Sequence, residues 1–332
     1  MPSALFIGGT GLISSQCVAQ TLARGWEVTL LNRGNRPPSP GTKSLTADFH
    51  QPDQVRAAFG QQHFDAIINF IAYSPLDVQR DIDLFAGRTR QYVLISTCAC
   101  YQKPPAHYIV NEKTPLENPY WPYAQAKIAC EQLAMQAHRA GAFPVTIIRP
   151  SLTYGISRIP AAYHNSTHSW TTAHRFLTGQ PVIALGDGTS LWQITHAADF
   201  ARGFVGLLAH PAALGQDFNI TTDEVLNWNT ILSTQASILG VTPHLIHIPS
   251  DFIARFDPVR AEGLYGDKTH SIVVDNSKLK SVVPDYRPSI SLVEGLTQTI
   301  AWFRQDPARQ TIDPVYNATA DKIIAAYQRA WV

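Results

Sequence analysis

The sequence predicts an α/β fold built on a doubly wound parallel sheet. Two observations carry that reading. An apolar run passes through a glycine turn into a helix at the N-terminus, and strand-like runs alternate with helical stretches through the first half of the chain. Ala4-Leu5-Phe6-Ile7 is too short for a helix and apolar enough for a buried parallel strand. It runs into Gly8-Gly9-Thr10-Gly11-Leu12-Ile13-Ser14, then into a helical stretch to about Arg24. Strand, glycine turn and helix start, in that order, make a grip for a dinucleotide's phosphates. Gly8 permits the tight turn, Gly11 lets backbone approach a pyrophosphate, and the helix N-terminus offers unpaired N–H groups and a positive dipole end. The spacing is G-x-x-G-x-x-S rather than G-x-G-x-x-G, and Ser14 is small enough for close helix–strand packing.

The remaining elements follow in order. Trp26 to Leu31 reads as the second strand, Ser44 to Ala47 as the third, Pro52 to Phe59 as a helix, and Phe64 to Phe70 as the fourth strand. A helix from about Leu76 to Phe85 leads to a fifth strand, Gln91 to Ser96. A longer helix runs from near Tyr120 to His138, and Val145 to Arg149 returns to the sheet. Pro37 to Gly41 is a surface loop. Further on, His196 to Leu208, Asn227 to Leu239 and Ser291 to Phe303 read as helices, and Asp275 to Lys278 as a helix entry with capping residues. The tail from Asp313 to Val332 reads as a final helix, polar enough to lie on the surface or against a partner.

At 332 residues the chain can bury a large core in one big domain or two intimate ones. With a net charge of +1 and 15% charged residues, nothing favours nucleic acid or a membrane surface. No basic segment followed by an apolar one opens the chain, and no run approaches the roughly 18 apolar residues of a spanning helix. A cytoplasmic location is the default expectation. The four cysteines, Cys17, Cys98, Cys100 and Cys130, are spaced as reduced thiols rather than metal ligands, and no metal site is expected.

The end of the second strand decides what an adenosine ribose meets. NAD sites usually place a carboxylate there. Here the chain reads Leu31-Asn32-Arg33-Gly34-Asn35-Arg36, with no acid. Arg33 and Arg36 can hold a 2′-phosphate through charge-assisted bonds, which leans the cofactor from NAD towards NADP. Two solvated loop arginines are the alternative. Asp48, after the third strand, is placed to bond the adenine amino group.

Two stretches carry chemistry. The fifth strand ends Ile95-Ser96-Thr97-Cys98-Ala99-Cys100-Tyr101, and the helix beyond opens Tyr120-Trp121-Pro122-Tyr123-Ala124-Gln125-Ala126-Lys127. Tyr123 and Lys127 are four apart, hence on one helix face. That spacing lets an ammonium depress the phenol's pKa, so that the phenolate takes a proton from an alcohol as hydride leaves. Thr97 can hold the same substrate oxygen. Ligands of doubly wound sheets collect at the C-terminal strand ends, where these groups should converge.

With these motifs the chain resembles an extended short-chain dehydrogenase/reductase of the NAD-dependent epimerase/dehydratase family. Gly8 to Ser14 matches the family's glycine loop and Ser96 to Tyr101 its S-[ST]-x-x-x-Y strand end. Asn111 to Leu116 precedes Tyr123…Lys127 as in that family, and Arg149-Pro150-Ser151-Leu152-Thr153-Tyr154-Gly155 matches its R-P-x-x-x-Y-G. Gly186-Asp187-Gly188 leading to His196 and Asp199 is also similar. The resemblance implies a Rossmann-type sheet with a smaller C-terminal α/β substrate lobe. The cofactor domain would span 1–150 with returning segments near 180–220; the lobe would occupy 151–332, mainly 151–180 and 221–332. It also implies roles. Tyr123 would be the general acid/base, Lys127 would bind the nicotinamide ribose and tune Tyr123, and Thr97 would be the hydroxyl partner. Gly8, Thr10, Gly11, Leu12 and Ile13 would line the pyrophosphate, with Asp48 and Phe49 near adenine. Phe70, Ile71 and Ala72 would pass under the cofactor, and Ser96, Pro150, Leu152 and Thr153 would bound its nicotinamide end. Family members often dimerise through the helix carrying Y-x-x-x-K, which implies a homodimer.

Departures from the family pattern bear on the reaction. Its dehydratases carry Asp-Glu directly after the strand-end threonine, where this chain has Cys98-Ala99, so dehydration by that route is not expected. Some of its epimerases use a cysteine two residues after the hydroxyl; here that position is Ala99, with Cys98 and Cys100 on either side. Buried thiols are usually packing. Two arginines that grip a diphosphate in nucleotide-sugar enzymes are replaced by Trp192 and by Leu264-Tyr265-Gly266-Asp267. Trp192 either stacks on substrate or packs in the lobe. Tyr163, His164, His168, Trp170 and His174 are expected near the substrate mouth. Tyr73, Cys98, Ala99, Cys100, His164, His168 and Trp192 are therefore the substrate-facing candidates. The leading expectation is an NAD(P)-dependent epimerase of a sugar or nucleotide-sugar-like alcohol. A ketoreductase or dehydrogenase comes next, and a non-catalytic nucleotide-sensing or RNA-binding relative last.

Overall fold

A computed structural model describes residues 1–35, 37–163 and 167–330. Seven parallel strands make the main sheet: β1 (Ser3–Ile7), β2 (Glu27–Asn32), β3 (Lys43–Thr46), β4 (Ala66–Asn69), β5 (Tyr92–Ile95), β6 (Val145–Pro150) and β7 (Gln216–Ile220). Their spatial order is β7-β6-β5-β4-β1-β2-β3, so the winding reverses between β1 and β4. That reversal opens a crevice at the C-terminal strand ends. Strands β1, β4, β5 and β6 are buried along their whole length apart from Ser3, as parallel strands covered on both faces must be.

Helices cover both faces. α1 (Leu12–Ala23) and α6 (Ala197–Leu207) pack on one through Cys17, Val18, Phe200 and Phe204. α2 (Pro52–Phe59), α3 (Pro75–Phe85) and α4 (Pro122–Arg139) pack on the other through Val55, Val78, Phe85 and Cys130. α3 starts where its sequence dictates. Ser74 Oγ accepts from Asp77 N–H, the Asp77 carboxylate accepts from Ser74 N–H, and Pro75 fills a position that needs no donor.

A second core lies over the C-terminal strand ends. It is built from α5 (Trp170–Leu177), α7 (Trp228–Leu239), α8 (Leu292–Arg304), α9 (Pro314–Arg329) and two short strand pairs. Leu152–Tyr154 pairs with Ile194–His196, and Val182–Leu185 with Leu245–Ile248. The last helix differs from expectation. Tyr316, Ala320, Ile323 and Ile324 are buried in the lobe core, and Tyr316 Oη donates to the Tyr163 carbonyl at 3.0 Å. The helix entry expected at Asp275–Lys278 is present, with a helix over Ser277–Val282, but Asn276 does not cap it: its Nδ2 reaches the Thr221 carbonyl, and the Asp275 carboxylate accepts from Ser277 N–H. His196 belongs to a strand end, and its Nδ1 accepts from Ala198 N–H to start α6. Among the described residues no helix is long and apolar enough to cross a membrane.

Candidate active site

The glycine turn is held by its own side chains. Gly8 has φ +81°, and a Cβ there would come 2.7 Å from Ile71 Cγ2, so the position requires glycine. Ser14 Oγ donates to the Gly8 carbonyl at 2.7 Å and accepts from Gly11 N–H at 2.8 Å. The serine in place of a third glycine therefore closes the turn as well as packing. Gly8, Thr10 and Gly11 line a cleft of about 570 Å³ that extends to Asn32, Arg33, Asp48, Phe49, Ile71 and Tyr73. This shape fits a dinucleotide: a Cβ-free approach at one end and an aromatic and a carboxylate at the other. Asn32 Oδ1 accepts from Gly34 N–H, shaping the loop after β2, and the Asp48 carboxylate accepts from His50 N–H. Leu12 lines a small neighbouring hollow with Thr10 and Gly11. Phe70 stacks on Phe6 at 6.2 Å beneath the turn. Arg36 lies outside the described residues; among the described residues lining this cleft, Arg33 is the arginine.

A second cleft of about 780 Å³ opens over the ends of β5 and β6, lined by Ile13, Ser96, Thr97, Cys98, Ala99, Tyr123, Pro150, Leu152, Thr153 and Trp192 among others. The strand-end and helix groups predicted from sequence do meet here. Thr97 accepts from Ala99 N–H, which starts a short turn, and its hydroxyl shares the cleft lining with the Tyr123 phenol. Lys127 is buried, and its Nζ donates to the Ala72 carbonyl at 2.7 Å and the Ile95 carbonyl at 2.8 Å. The ammonium thus ties α4 to the loop after β4 and to the end of β5. It also lies 4.9 Å from the centre of the Tyr73 ring, which faces Tyr123.

The electrostatics of the chain by itself run against one expectation. Burial, with Cys100 and Tyr73 alongside, holds the Tyr123 phenol well above its ordinary pKa, and the neighbouring Thr97 hydroxyl only partly opposes this. Lys127 is directed at two carbonyls, and burial lowers its own pKa. The depressed phenol pKa expected from helical spacing is therefore not a property of the chain alone.

The two strand-end thiols are packing groups. Cys98 lines the cleft, but burial pushes its pKa far up and its Sγ is directed at the Arg149 carbonyl at 3.4 Å. Cys100 is fully buried behind the wall, beside Ser96 Oγ, with its pKa pushed up to about 12. Trp192 is both wall and core. It lines the cleft, packs on Trp228 at 5.3 Å and carries the Lys268 ammonium 4.5 Å above its ring.

The aromatic–imidazole stretch does not form the cleft mouth as expected. Tyr163 is buried with its Oη donating to Asp257, and Trp170 packs on Phe303. His168 Nδ1 lies 2.9 Å from Thr311 Oγ1, away from the cleft lining, and His174 sits on α5. His164 lies outside the described residues. From this stretch the cleft receives Thr167.

Residues 4–221 match the model of the NAD dependent epimerase/dehydratase family, well over half of the chain. The chain belongs to that family. Among relatives, a chloroplast stem-loop binding protein of Arabidopsis thaliana is 23% identical, covering 96% of this chain and 83% of that protein. A 2′-dehydrokanamycin reductase of Streptomyces kanamyceticus is 23% identical, covering 85% and 79%. Among solved structures, an epimerase of Methanothermobacter thermautotrophicus has the same fold, with a TM-score of 0.77 at 16% identity over 92% and 93% of the two chains. As a member of the epimerase/dehydratase family the chain is a short-chain dehydrogenase/reductase-type enzyme.

For a member of this family the cleft holds charges that motif spacing did not single out. Arg158, Arg260, Asp267 and Lys268 all line it, with Trp121, Ser151 and Gln193. Lys268 directly follows the segment in which an arginine was missing, and it pairs with Asp267. Arg260 pairs with Asp257 at 2.6 Å. Arg158 lies three residues beyond the glycine of R-P-x-x-x-Y-G, and that offset was the available signal.

Proposed function

We propose that this chain is an NAD(P)-dependent epimerase of a sugar-like secondary alcohol. The reading rests on one observation: the Tyr123 phenol and the Thr97 hydroxyl line one cleft, one helical turn from an ammonium fixed by the Ala72 and Ile95 carbonyls. A dinucleotide would be held by Gly8, Thr10, Gly11, Asp48 and Phe49, with Ser96, Pro150, Leu152 and Thr153 at its nicotinamide end. When bound, the nicotinamide supplies reversible hydride exchange with a carbinol carbon.

The chain's own groups handle the proton. Thr97 Oγ1 and Tyr123 Oη hold the substrate oxygen between them, and Tyr123 Oη takes and returns its proton. An ammonium has three N–H donors, and two of Lys127's are used on carbonyls, leaving one for a ribose hydroxyl. The buried wall of Cys98, Ala99 and Trp192 excludes water from the reacting carbon. Cys98-Ala99 offers neither an acid nor a base for loss of a hydroxyl, which supports epimerisation over dehydration. At the adenosine end Arg33, with no acid ending β2, supports NADP over NAD.

The test uses the protein as purified. Mass spectrometry of the retained cofactor is combined with incubation on UDP-glucose and UDP-glucuronate, following epimers and nicotinamide absorbance together. Epimer formation without net nicotinamide reduction, abolished in Tyr123→Phe while cofactor stays bound, is the expected outcome. Net stoichiometric reduction or oxidation of added cofactor would replace this reading with a dehydrogenase or ketoreductase. Full activity in Tyr123→Phe would remove both.

A further inference from the structure

Between the strand end bearing Thr97 and the helix bearing Tyr123, the chain doubles back on itself. Residues 115–118 run antiparallel to 100–103. Tyr101 bridges Leu116, Glu117 N–H donates to the Cys100 carbonyl at 3.1 Å, and Lys103 N–H donates to the Glu117 carbonyl at 2.9 Å. This pairing fixes the backbone that carries Asn118, a residue only 3% exposed.

The Asn118 amide spends all four of its hydrogen bonds on backbone. Its Nδ2 donates to the Ala99 carbonyl at 2.8 Å and to the Gly266 carbonyl at 2.7 Å. Its Oδ1 accepts from the N–H groups of Tyr120 and Trp121, each at 3.2 Å. Only one orientation of the amide satisfies all four. The partners belong to three separate pieces of the cleft. Ala99 lies in the turn that Thr97 starts. Gly266 directly precedes Asp267 and Lys268 in the lobe segment Leu264–Lys268, and both of those side chains line the cleft. Tyr120 and Trp121 lead into α4, where Tyr123 is the second residue.

The seam is packed as closely as it is bonded. A Cβ on Gly266 would come 2.5 Å from Trp121 Cβ, so the lobe backbone lies directly on the start of α4. The Trp121 ring stands 4.9 Å from the Tyr123 ring and lines the cleft with it. One residue past Gly266, Asp267 is reached by the buried Lys103 at 3.8 Å across the same seam. Capping α4 needs only the Asn118 carbonyl oxygen. Its two N–H bonds serve something else: they join a lobe segment to the strand-end turn.

We propose that Asn118 is a positioning residue, clasping the lobe segment Leu264–Lys268 to the Thr97 turn and to the start of α4, so that hydroxyl, phenol and lobe wall are held as one body. The inference rests on the proposed reading of the cleft, in which Thr97 and Tyr123 share the substrate oxygen. A shift of roughly 1 Å between such groups costs on the order of a hundred-fold in rate.

The experiment compares the NAD-loaded parent with Asn118→Asp, Asn118→Ala and Gly266→Ala. Asn118→Asp keeps the size and the acceptor for Tyr120 and Trp121 but no longer supplies donors to both Ala99 and Gly266. Gly266→Ala pushes the lobe backbone off the seam with Asn118 intact. Hydrogen exchange is followed by mass spectrometry on peptides covering 97–102, 118–126 and 263–269. Steady-state kinetics are run on UDP-glucose and UDP-glucuronate below each variant's melting temperature. The expected result is that exchange at the three segments rises together in both Asn118 variants, while β1 and the glycine turn keep parent rates. With it kcat falls about ten-fold or more, KM changes by less, and Gly266→Ala reproduces the kinetic loss. A side chain that only caps α4 would leave Asn118→Asp with parent kcat and parent exchange at 263–269, and that outcome overturns the proposal. So does a loss confined to KM, or exchange that rises across the whole chain. Concerted loosening of the three segments in a protein whose parent turns over neither sugar removes the epimerase reading on these sugars and leaves the clasp standing. Intact epimerisation with parent kcat in every variant does the reverse.

Discussion

Lys127 Nζ donates to the Ala72 carbonyl at 2.7 Å, so an ammonium on α4 is fixed by the backbone just beyond β4 before any ligand arrives. The same ammonium holds the Ile95 carbonyl, directly before the strand-end serine and threonine. One side chain therefore sets the distance between the helix bearing Tyr123 and the strand end bearing Thr97. Burial raises the phenol's pKa in the chain alone. Any lowering must come from the remaining charge of Lys127 and from a bound alcohol hydrogen-bonded by both Thr97 and Tyr123.

Replacing Lys127 by Met tests this directly. Turnover should fall on the order of a hundred-fold, the usual scale for a disabled general acid/base. The acid limb of the pH–kcat profile should move to higher pH, because a phenol without its cation ionises later. A profile of unchanged shape would limit Lys127 to a structural tie between α4 and the strand ends.

At the glycine turn, Gly8→Ala forces a left-handed φ on alanine and drives its methyl into Ile71. The strain costs about 1–3 kcal/mol, visible as a lowered melting temperature. Cofactor affinity should fall as well, since relief of the clash moves Ile71 or the turn. Ser14→Gly, by contrast, restores the glycine common elsewhere but removes both bonds that close the turn. It should weaken cofactor binding rather than improve it.

Much of this arrangement was legible before the fold was known, and what was missed has physical causes. β1 with its glycine turn, the helix Pro52–Phe59 and the four-residue spacing of Tyr123 and Lys127 depend on local chemistry, and the chain folds there as its pattern dictates. Strands of two residues, such as Leu191–Trp192, carry no readable period. The last helix looked polar because Asn317, Asp321, Lys322, Gln328 and Arg329 interrupt its apolar residues. Yet Tyr316, Ala320, Ile323 and Ile324 are a helical stripe, and the stripe decides burial. His168 was misplaced because its partner, Thr311, is 143 residues away, a relation no local pattern contains. Arg260 and Lys268 reach the cleft from two short consecutive helical segments, Pro258–Gly263 and Leu264–Lys268, whose position is set by packing in the lobe.

The strand-end thiols should be silent. Burial holds both Cys98 and Cys100 in the protonated form, so iodoacetamide should label neither in the folded protein at neutral pH. Cys98→Ala should cost about 1 kcal/mol of stability and leave kcat within a few-fold. Rapid labelling with loss of activity would bring Cys98 back as a catalytic candidate.

A pH effect on stability is built in beneath β4. Asp81 is fully buried on α3, where Tyr92 Oη and Asn69 Nδ2 both donate to its Oδ2, and burial raises its pKa to about 7 from 3.8. Between these values the folded state holds a proton that the unfolded chain has already released. Unfolding free energy must therefore fall as pH rises through that window. The contribution is fully present below the unfolded value and lost above the folded one. Asp81→Asn keeps both hydrogen bonds through its carbonyl oxygen and cannot ionise. Its melting temperature should stay flatter from pH ~4 to ~7 than the parent's, and should exceed the parent's above that window. Parallel curves for the two proteins would show that Asp81 is ionised in the fold and that Tyr92 and Asn69 together outweigh its burial.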